Sequence, residues 1–468
     1  MSQALAVARL MIAEGIRMKI ALVFLALIGM VILGVPLTIK GDSSLTGAVQ
    51  SFMSYGLSAT AVLLSMLTIF MSRSLSDEFV HHQIFLVMSK PVPRWQFIVG
   101  KWLGMTVLNA AFLACAGATI YGMVYYIKST HPPIDNRFDE AELVNEVLVA
   151  RHALQTKIPD FSDDAELEFE RNLEQGLYAN AGDIRPDAEK KRLAQKHEAR
   201  WRVVGPLDAR VFEFENVLCD RSKGNTIQLR YKTEVTQYAP DEIFRGAWVF
   251  GDAMKGTREY PIPTRHVVGR YHTIQVPADA VADDHTLLVR FYNRNPYEGE
   301  RQHNNVIEFR KSDPVEILFV VGSFEWNFVR LLILMQCKLM FLAAVALLGT
   351  TVFSFPVACL TSFTVYILAG TRSFLTEALD FASDDYATMF SSAKEFFVQS
   401  FTYLYSTVHW IIPDFGYYDA VETFVNGRNV SLVWVLQAVT ELVLIQTVIV
   451  LGLAVLLFHR REVAEVSF

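Results

Sequence analysis

Apolar residues in this chain are gathered into long blocks, and that clustering restricts the possible fold more than any motif does. The blocks run from Ile20 to Leu37, Gly56 to Met71, Trp102 to Ile127, Leu331 to Gly370 and Leu432 to Phe458. A helix needs about 20 apolar residues to cross the hydrocarbon core of a bilayer. The fourth block is about twice that length and reads as two crossings, with Ser354, Phe355 and Pro356 at the turn. Composition agrees, since 52% of the 468 residues are hydrophobic and only 19% are charged. The expected fold is an α-helical polytopic membrane protein with six transmembrane helices. An extracytoplasmic α+β domain, mainly an antiparallel β-sandwich, is expected between the third and fourth.

Lys and Arg are retained on the cytoplasmic side of short loops, which orients the chain. With the N-terminus inside, Arg9, Arg17, Lys19, Arg73, Lys90, Arg94, Lys101, Arg460 and Arg461 are all cytoplasmic. The opposite face is poorer in positive charge: the loop from Lys40 to Tyr55 has one basic residue, and Arg372 to Arg428 has three against eight acidic ones. The expected location is the cell (inner) membrane, multi-pass, with both termini cytoplasmic. No small-residue cleavage site follows the first block, so it reads as a retained anchor rather than a signal peptide.

Three parts follow along the sequence. Residues 1–127 form an interfacial N-terminal helix and crossings one to three. Residues 128–325 form the outer domain, long enough to bury its own core. Residues 326–468 form crossings four to six, with an outer amphipathic loop over 372–428. Within the outer domain, 139–201 reads as helical, with Leu143, Val147, Leu154, Leu167, Leu173 and Leu177 at helical spacing. Over 210–321 the period changes to two, most clearly where Ile227, Leu229, Tyr231, Thr233 and Val235 alternate with polar residues. Further strands are expected at 247–250, 266–276, 286–293, 306–310 and 315–321. Trp248, Tyr260 and Tyr271 suit either a sugar-stacking face or a core, and a partner-docking or substrate-receiving role is the favoured reading of the domain. Cys219 is the only cysteine between 128 and 325, so no disulfide is internal to it. Its seven histidines show no metal-ligand spacing, and no metal site is expected.

The segment from Arg73 to Gly104 is a charged, proline-punctuated interruption between the second and third crossings. Ser74 with Asp77 three residues later has the pattern of a capping box, which predicts a short helix running to Ser89, where Pro91 stops it. Pro93 suits the first position of a new helix that carries Arg94, Trp95 and Lys101 into the third crossing. Two prolines stiffen the connection, so a push on the short helix would reach the membrane helix. The alternative is a charged interfacial loop anchored by Trp95 and Trp102.

Glu78, Ser89, Lys90, Pro91, Val92, Pro93, Arg94, Gly100, Lys101 and Gly104 occur in the order seen in permease subunits of ABC-2 type ABC transporters, and the chain resembles that family here. Ala4 to Lys19, with Arg9, Glu14 and Arg17, resembles its interfacial elbow helix. His81, His82 and Gln83 depart from the family pattern, as does the large outer insertion. The resemblance implies a coupling loop over 73–101 that docks on an ATPase, through Asp77, Glu78, His81, His82, Lys90, Pro91, Pro93 and Arg94. It also implies a permease partner in the membrane, a homodimer or a related subunit, and contact with lipid. No G-x-x-x-x-G-K-[ST] occurs, so ATP and Mg are expected on a separate ATP-binding subunit and no cofactor on this chain. The chain is then expected to be a non-catalytic subunit, with no nucleic-acid partner.

Intramembrane charge is costly without a partner. Lys338 and Glu441 lie at similar depth in the fourth and sixth crossings, so an ion pair is expected; the rival is Lys338 snorkelling at the interface. Phe381, Met389, Phe390, Phe396, Phe397, Phe401, Leu404 and Val408 mark an amphipathic helix within 375–410. Three functions remain open. They are export or flipping of a substrate driven by a separate ATPase, mechanotransmission to an envelope protein through the outer domain, and a non-motor anchor for a binding module.

Overall fold

The structure, a computed structural model, describes residues 2–38, 44–81, 93–130, 137–177, 186–220, 225–235, 243–294, 306–311, 314–385 and 412–460. The chain divides into two compact units, Met1–Ala150 with Gly322–Phe468, and Arg151–Val321.

The first unit is helical. Helix α1 (Ser2–Arg17) meets α2 (Lys19–Thr38) at a 64° bend. Helix α3 (Leu45–Met71) starts at Ser44, whose hydroxyl accepts from the Gly47 N–H, and α4 (Arg73–Val80) continues it beyond Ser72. Helix α5 (Arg94–Thr130) is followed by α6 (Arg137–Glu142) and a π-helical turn, Leu143–Val147. Asp139 of α6 accepts from the Leu45 and Thr46 N–H groups at 2.5 and 3.1 Å, satisfying donors that the first turn of α3 cannot satisfy itself.

The second unit begins within β1 (Val149–Gln155), followed by a helix pair, α7 (Ser162–Glu174) and α8 (Pro186–Trp201). Ten further strands follow: β2 (Val203–Val204), β3 (Ala209–Phe214), β4 (Thr226–Lys232), β5 (Glu234–Val235), β6 (Ile243–Phe250), β7 (Tyr260–Val267), β8 (Tyr271–Pro277), β9 (Leu287–Asn293), β10 (Ile307–Glu308) and β11 (Glu316–Ser323). They form two four-stranded sheets, in the orders β1-β11-β4-β8 and β3-β9-β6-β7, with a small third sheet, β2-β10-β5. Leu229 of β4 faces Ile274 of β8, and Trp248 of β6 faces Phe291 of β9, both in antiparallel register. Alternation along each strand sends Ile227, Leu229 and Tyr231 to one side, where they meet Phe212, Trp248 and Phe291 of the other sheet. Tyr231 and Trp248 have ring centroids 4.6 Å apart, which makes a sandwich with an aromatic centre.

The chain then returns to the first unit as α9 (Phe324–Val352), α10 (Phe355–Asp385), α11 (Val421–Val425) and α12 (Leu432–Ala438). A π-helical stretch (Val439–Thr447) and α13 (Val448–Arg460) follow. The break between α9 and α10 falls at Phe353 and Ser354; of the expected turn residues only Ser354 lies in it, while Phe355 and Pro356 open α10, where proline is tolerated in the first turn. Among the described residues five stretches are long and apolar enough to cross a membrane: Leu45–Val80, Arg94–Thr130, Phe324–Val352, Phe355–Phe374 and Leu432–Arg460. The bent α1–α2 pair makes a sixth if counted as one span.

Several local expectations are corrected. Residues 149–155, expected as helix, form β1, because the run Val149, Ala150, Leu154 can serve either period and strand pairing with β11 decides it. The expected strand 266–276 is two strands, broken where Gly269 takes a left-handed conformation at φ +80°. Trp248 is fully buried and belongs to the core, so it is no sugar platform. The amphipathic stretch 375–410 lies outside the described residues beyond Asp385.

Candidate functional site

Lys101 sits near the start of α5 with its side chain 0% exposed. Its ammonium Nζ lies 2.8 Å from Glu78 Oε1 on α4 and 3.3 Å from Glu14 Oε2 on α1, and donates to Ser74 Oγ on α4 at 2.7 Å. Ser74 Oγ donates in turn to Glu14 Oε2 at 2.6 Å. One cation therefore holds three helices together through two carboxylates and a hydroxyl. Glu78 is nearly as buried as the lysine, whereas Glu14 keeps 38% of its side chain exposed. A buried charge with well-placed counter-charges and hydrogen bonds is tolerable, and removing one member strands the others.

Two glycines make this closeness possible. A Cβ on Gly100 would lie 2.7 Å from both the Ala4 carbonyl oxygen and Val7 Cβ, and one on Gly104 would lie 2.6 Å from Met11 Cβ and 2.8 Å from the Ala8 oxygen. The G-x-x-x-G face of α5 thus admits the backbone of α1 directly, a packing used where helices associate without a strong hydrophobic driving force.

The neighbouring charged residues extend the junction. Arg94, the first residue of α5, donates from Nη1 to the Phe458 and His459 carbonyls at 3.1 and 2.8 Å, capping the end of α13, where a cation also suits the helix dipole. The Phe458 ring lies between Phe79 and Phe97, with centroids 5.9 and 6.0 Å away. Trp102 Nε1 donates to the Met340 oxygen of α9 at 2.9 Å.

The structure gathers part of the expected coupling set here. Glu78 is in the cluster and Arg94 beside it. Asp77 pairs with Arg73 at 3.2 Å on the exposed face of α4, and His81 ends that helix with Nδ1 2.9 Å from the Asp77 oxygen. Pro93 precedes α5, its carbonyl accepting from the Gln96 N–H at 2.9 Å. His82, Lys90 and Pro91 lie outside the described residues. The capping box is corrected: Ser72 occupies the cap position, and the Ser74 hydroxyl turns inward to Glu14 because a buried charge network offers it a partner there. Glu14, Ser74 and Lys101 were missing from the site read in the sequence. The available signal was charge isolation, since Glu14 is the only acid in α1 and Lys101 the only Lys or Arg between Arg94 and Lys128.

The expected Lys338–Glu441 ion pair is also corrected. Lys338 Nζ lies 3.9 Å from Asp419 Oδ1, while Glu441 accepts from Tyr418 Oη and from Gln437 Nε2 at 3.2 Å. Segment 412–425 supplies each charge with a partner, Asp419 for Lys338 and Tyr418 for Glu441. Lys338 and Asp419 line a cavity of about 350 Å³ among α3, α9 and α10. Among the described residues no group of three or more His, Cys, Asp or Glu is placed to hold a metal ion. Comparisons with family models, characterised proteins and solved structures give no match.

Proposed function

We propose that the chain is the membrane-spanning permease subunit of an ABC-2 type ABC transporter, driven by a nucleotide-binding subunit on another polypeptide and exporting or flipping a substrate. In this reading α4 and the 73–101 stretch face the cytoplasm and receive the push of the ATPase. The observation that carries the proposal is the Lys101 cluster. It joins the helix that would be pushed, α4, to the elbow-like α1 and to the base of α5. A lever transmits force only if its joints resist more strongly than its load, and breaking a buried ion pair by losing one partner costs about 3–5 kcal/mol. The Arg94 and Phe458 contacts add α13 to the same joint, so displacing α4 tilts several membrane helices at once.

Full-length protein, affinity-purified in mild detergent after cross-linking in cell membranes, should bring down a chain that hydrolyses ATP. Deleting residues 77–88 should abolish that recovery. Absence of any nucleotide-binding chain from the unaltered protein would sink the reading.

A further inference from the structure

The cavity beside α9 contains a half-buried cation that the coupling role does not use. Lys338 is 19% exposed along its side chain, and no oxygen among the described residues lies within hydrogen-bonding distance of Nζ. Its nearest carboxylate among the described residues, Asp419, is 3.9 Å away and 59% exposed, and among those residues it accepts only from the Val421 N–H at 3.3 Å. Other charges nearby are engaged elsewhere. Asp414 accepts from Ser373 Oγ and the Tyr417 N–H at 2.7 and 2.8 Å, Arg372 donates to the Ile412 oxygen, and Glu441 accepts from Tyr418. The cavity therefore presents one cation inside and one anion nearer solvent, each with hydrogen-bonding capacity left over.

Part of its exposed rim is apolar. Val62 of α3 and Ile367 of α10 line it and are 39% and 59% exposed, next to the exposed Ser58, Gly370 and Thr371, and Met335 and Leu339 are apolar lining residues near Lys338 in sequence. On helices apolar enough to span a bilayer, such a flank faces acyl chains. A ligand entering from that side must be amphiphilic. A purely anionic head group would satisfy Lys338 but meet repulsion from Asp419, and a purely cationic one would meet the reverse. A head group bearing both charges satisfies both residues. At about 350 Å³ the cavity is at the small end of ligand pockets, which run from about 300 to 1,000 Å³, so it suits a head group whose chains stay outside.

We propose that this cavity binds a zwitterionic phospholipid of the phosphoethanolamine type, its phosphate against Lys338 and its ammonium against Asp419, with the acyl chains leaving over Val62 and Ile367. The proposal rests on the membrane reading of these helices and not on ATP coupling. Binding is read without ATP or a partner, so it can fail while an ATPase copurifies, and the reverse.

The test is a titration of the purified full-length chain, in neutral maltoside micelles, followed by thermal unfolding. The probes are short-chain phosphatidylethanolamine, short-chain phosphatidylglycerol and free phosphoethanolamine. The expected result is stabilisation by phosphatidylethanolamine at a Kd about tenfold or more below that for phosphatidylglycerol. Lys338→Met should weaken both lipids about tenfold or more, and Asp419→Asn should remove the preference between them. Ile367→Trp should block both lipids by filling the mouth without changing a charge, so the test stands even if Lys338→Met fails to fold. Lack of stabilisation, equal affinity for the two lipids, or unaltered binding by Ile367→Trp would overturn the proposal. Equal affinity for free phosphoethanolamine would overturn the lipid assignment in favour of a soluble ligand.

Discussion

Lys101 shows how much of the helical unit hangs on single atoms. With its side chain fully buried and both carboxylates within 3.3 Å, its removal leaves Glu78 buried without a counter-charge. Lys101→Met should therefore destabilise the chain by about 3–5 kcal/mol, measured by denaturant unfolding in micelles. Adding Glu78→Leu should recover much of that loss, because the stranded charge is gone. Glu14→Gln should cost no more than about 1 kcal/mol, since the Glu14 carboxylate is partly solvated. A different residue-scale test lies in the sandwich. His266 is stacked on His272 with centroids 4.2 Å apart, and its Nδ1 lies 2.6 Å from Tyr231 Oη. Burial, and then the proximity of His272, hold its pKa below the usual imidazole value. The unfolded chain thus takes up a proton at higher pH than the folded one, so stability is full above the ordinary imidazole pKa, near 6.5, and falls below it. Thermal unfolding of the β unit should move to lower temperature as pH drops from about 7 to 5, and His266→Gln should flatten that slope.

At the scale of elements, the fit of α1 on α5 is a property of two missing side chains. Gly104→Leu places carbon where Met11 Cβ and the Ala8 oxygen already lie, and overpacking of this kind costs about 1–3 kcal/mol. Hydrogen exchange should quicken across 2–17 while the sandwich strands stay protected. The motif around Gly100, Lys101 and Gly104 was legible in the sequence as a pattern, but what it packs against was not, because helix-to-helix contacts depend on rotation about axes that periodicity leaves free. The same limit explains Ser74. Its spacing to Asp77 matches a capping box, yet a partner 60 residues away in α1 captured its hydroxyl. The partner of Lys338 escaped for a similar reason. Depth along two helices pointed to Glu441, while the acid that approaches it, Asp419, is on an irregular segment that has no period to read.

For the whole molecule, block lengths and the change from helical to alternating period pointed to a helical part and a separate β-rich one; the compact units divide after Ala150 and before Gly322, where the sequence reading divided at 128 and 325. The difference at the first boundary arises because residues 137–147 join the helical unit, where Asp139 caps α3 and Leu143 and Val147 are buried in its core. Residues 151–321, with their own aromatic core and one cysteine, should fold when expressed alone, giving one cooperative transition that reducing agent does not shift. Absence of such a transition would mean that the sandwich depends on the helices.

The coupling account makes its most exposed claim about which side of the membrane each unit meets. A photo-activatable cross-linker placed in living cells at His81, which is exposed at the end of α4, should capture a chain that binds ATP. The same group at Met254, 98% exposed on the β unit, should capture none. Capture of an ATP-binding chain at Met254, or its absence at His81, would contradict the account.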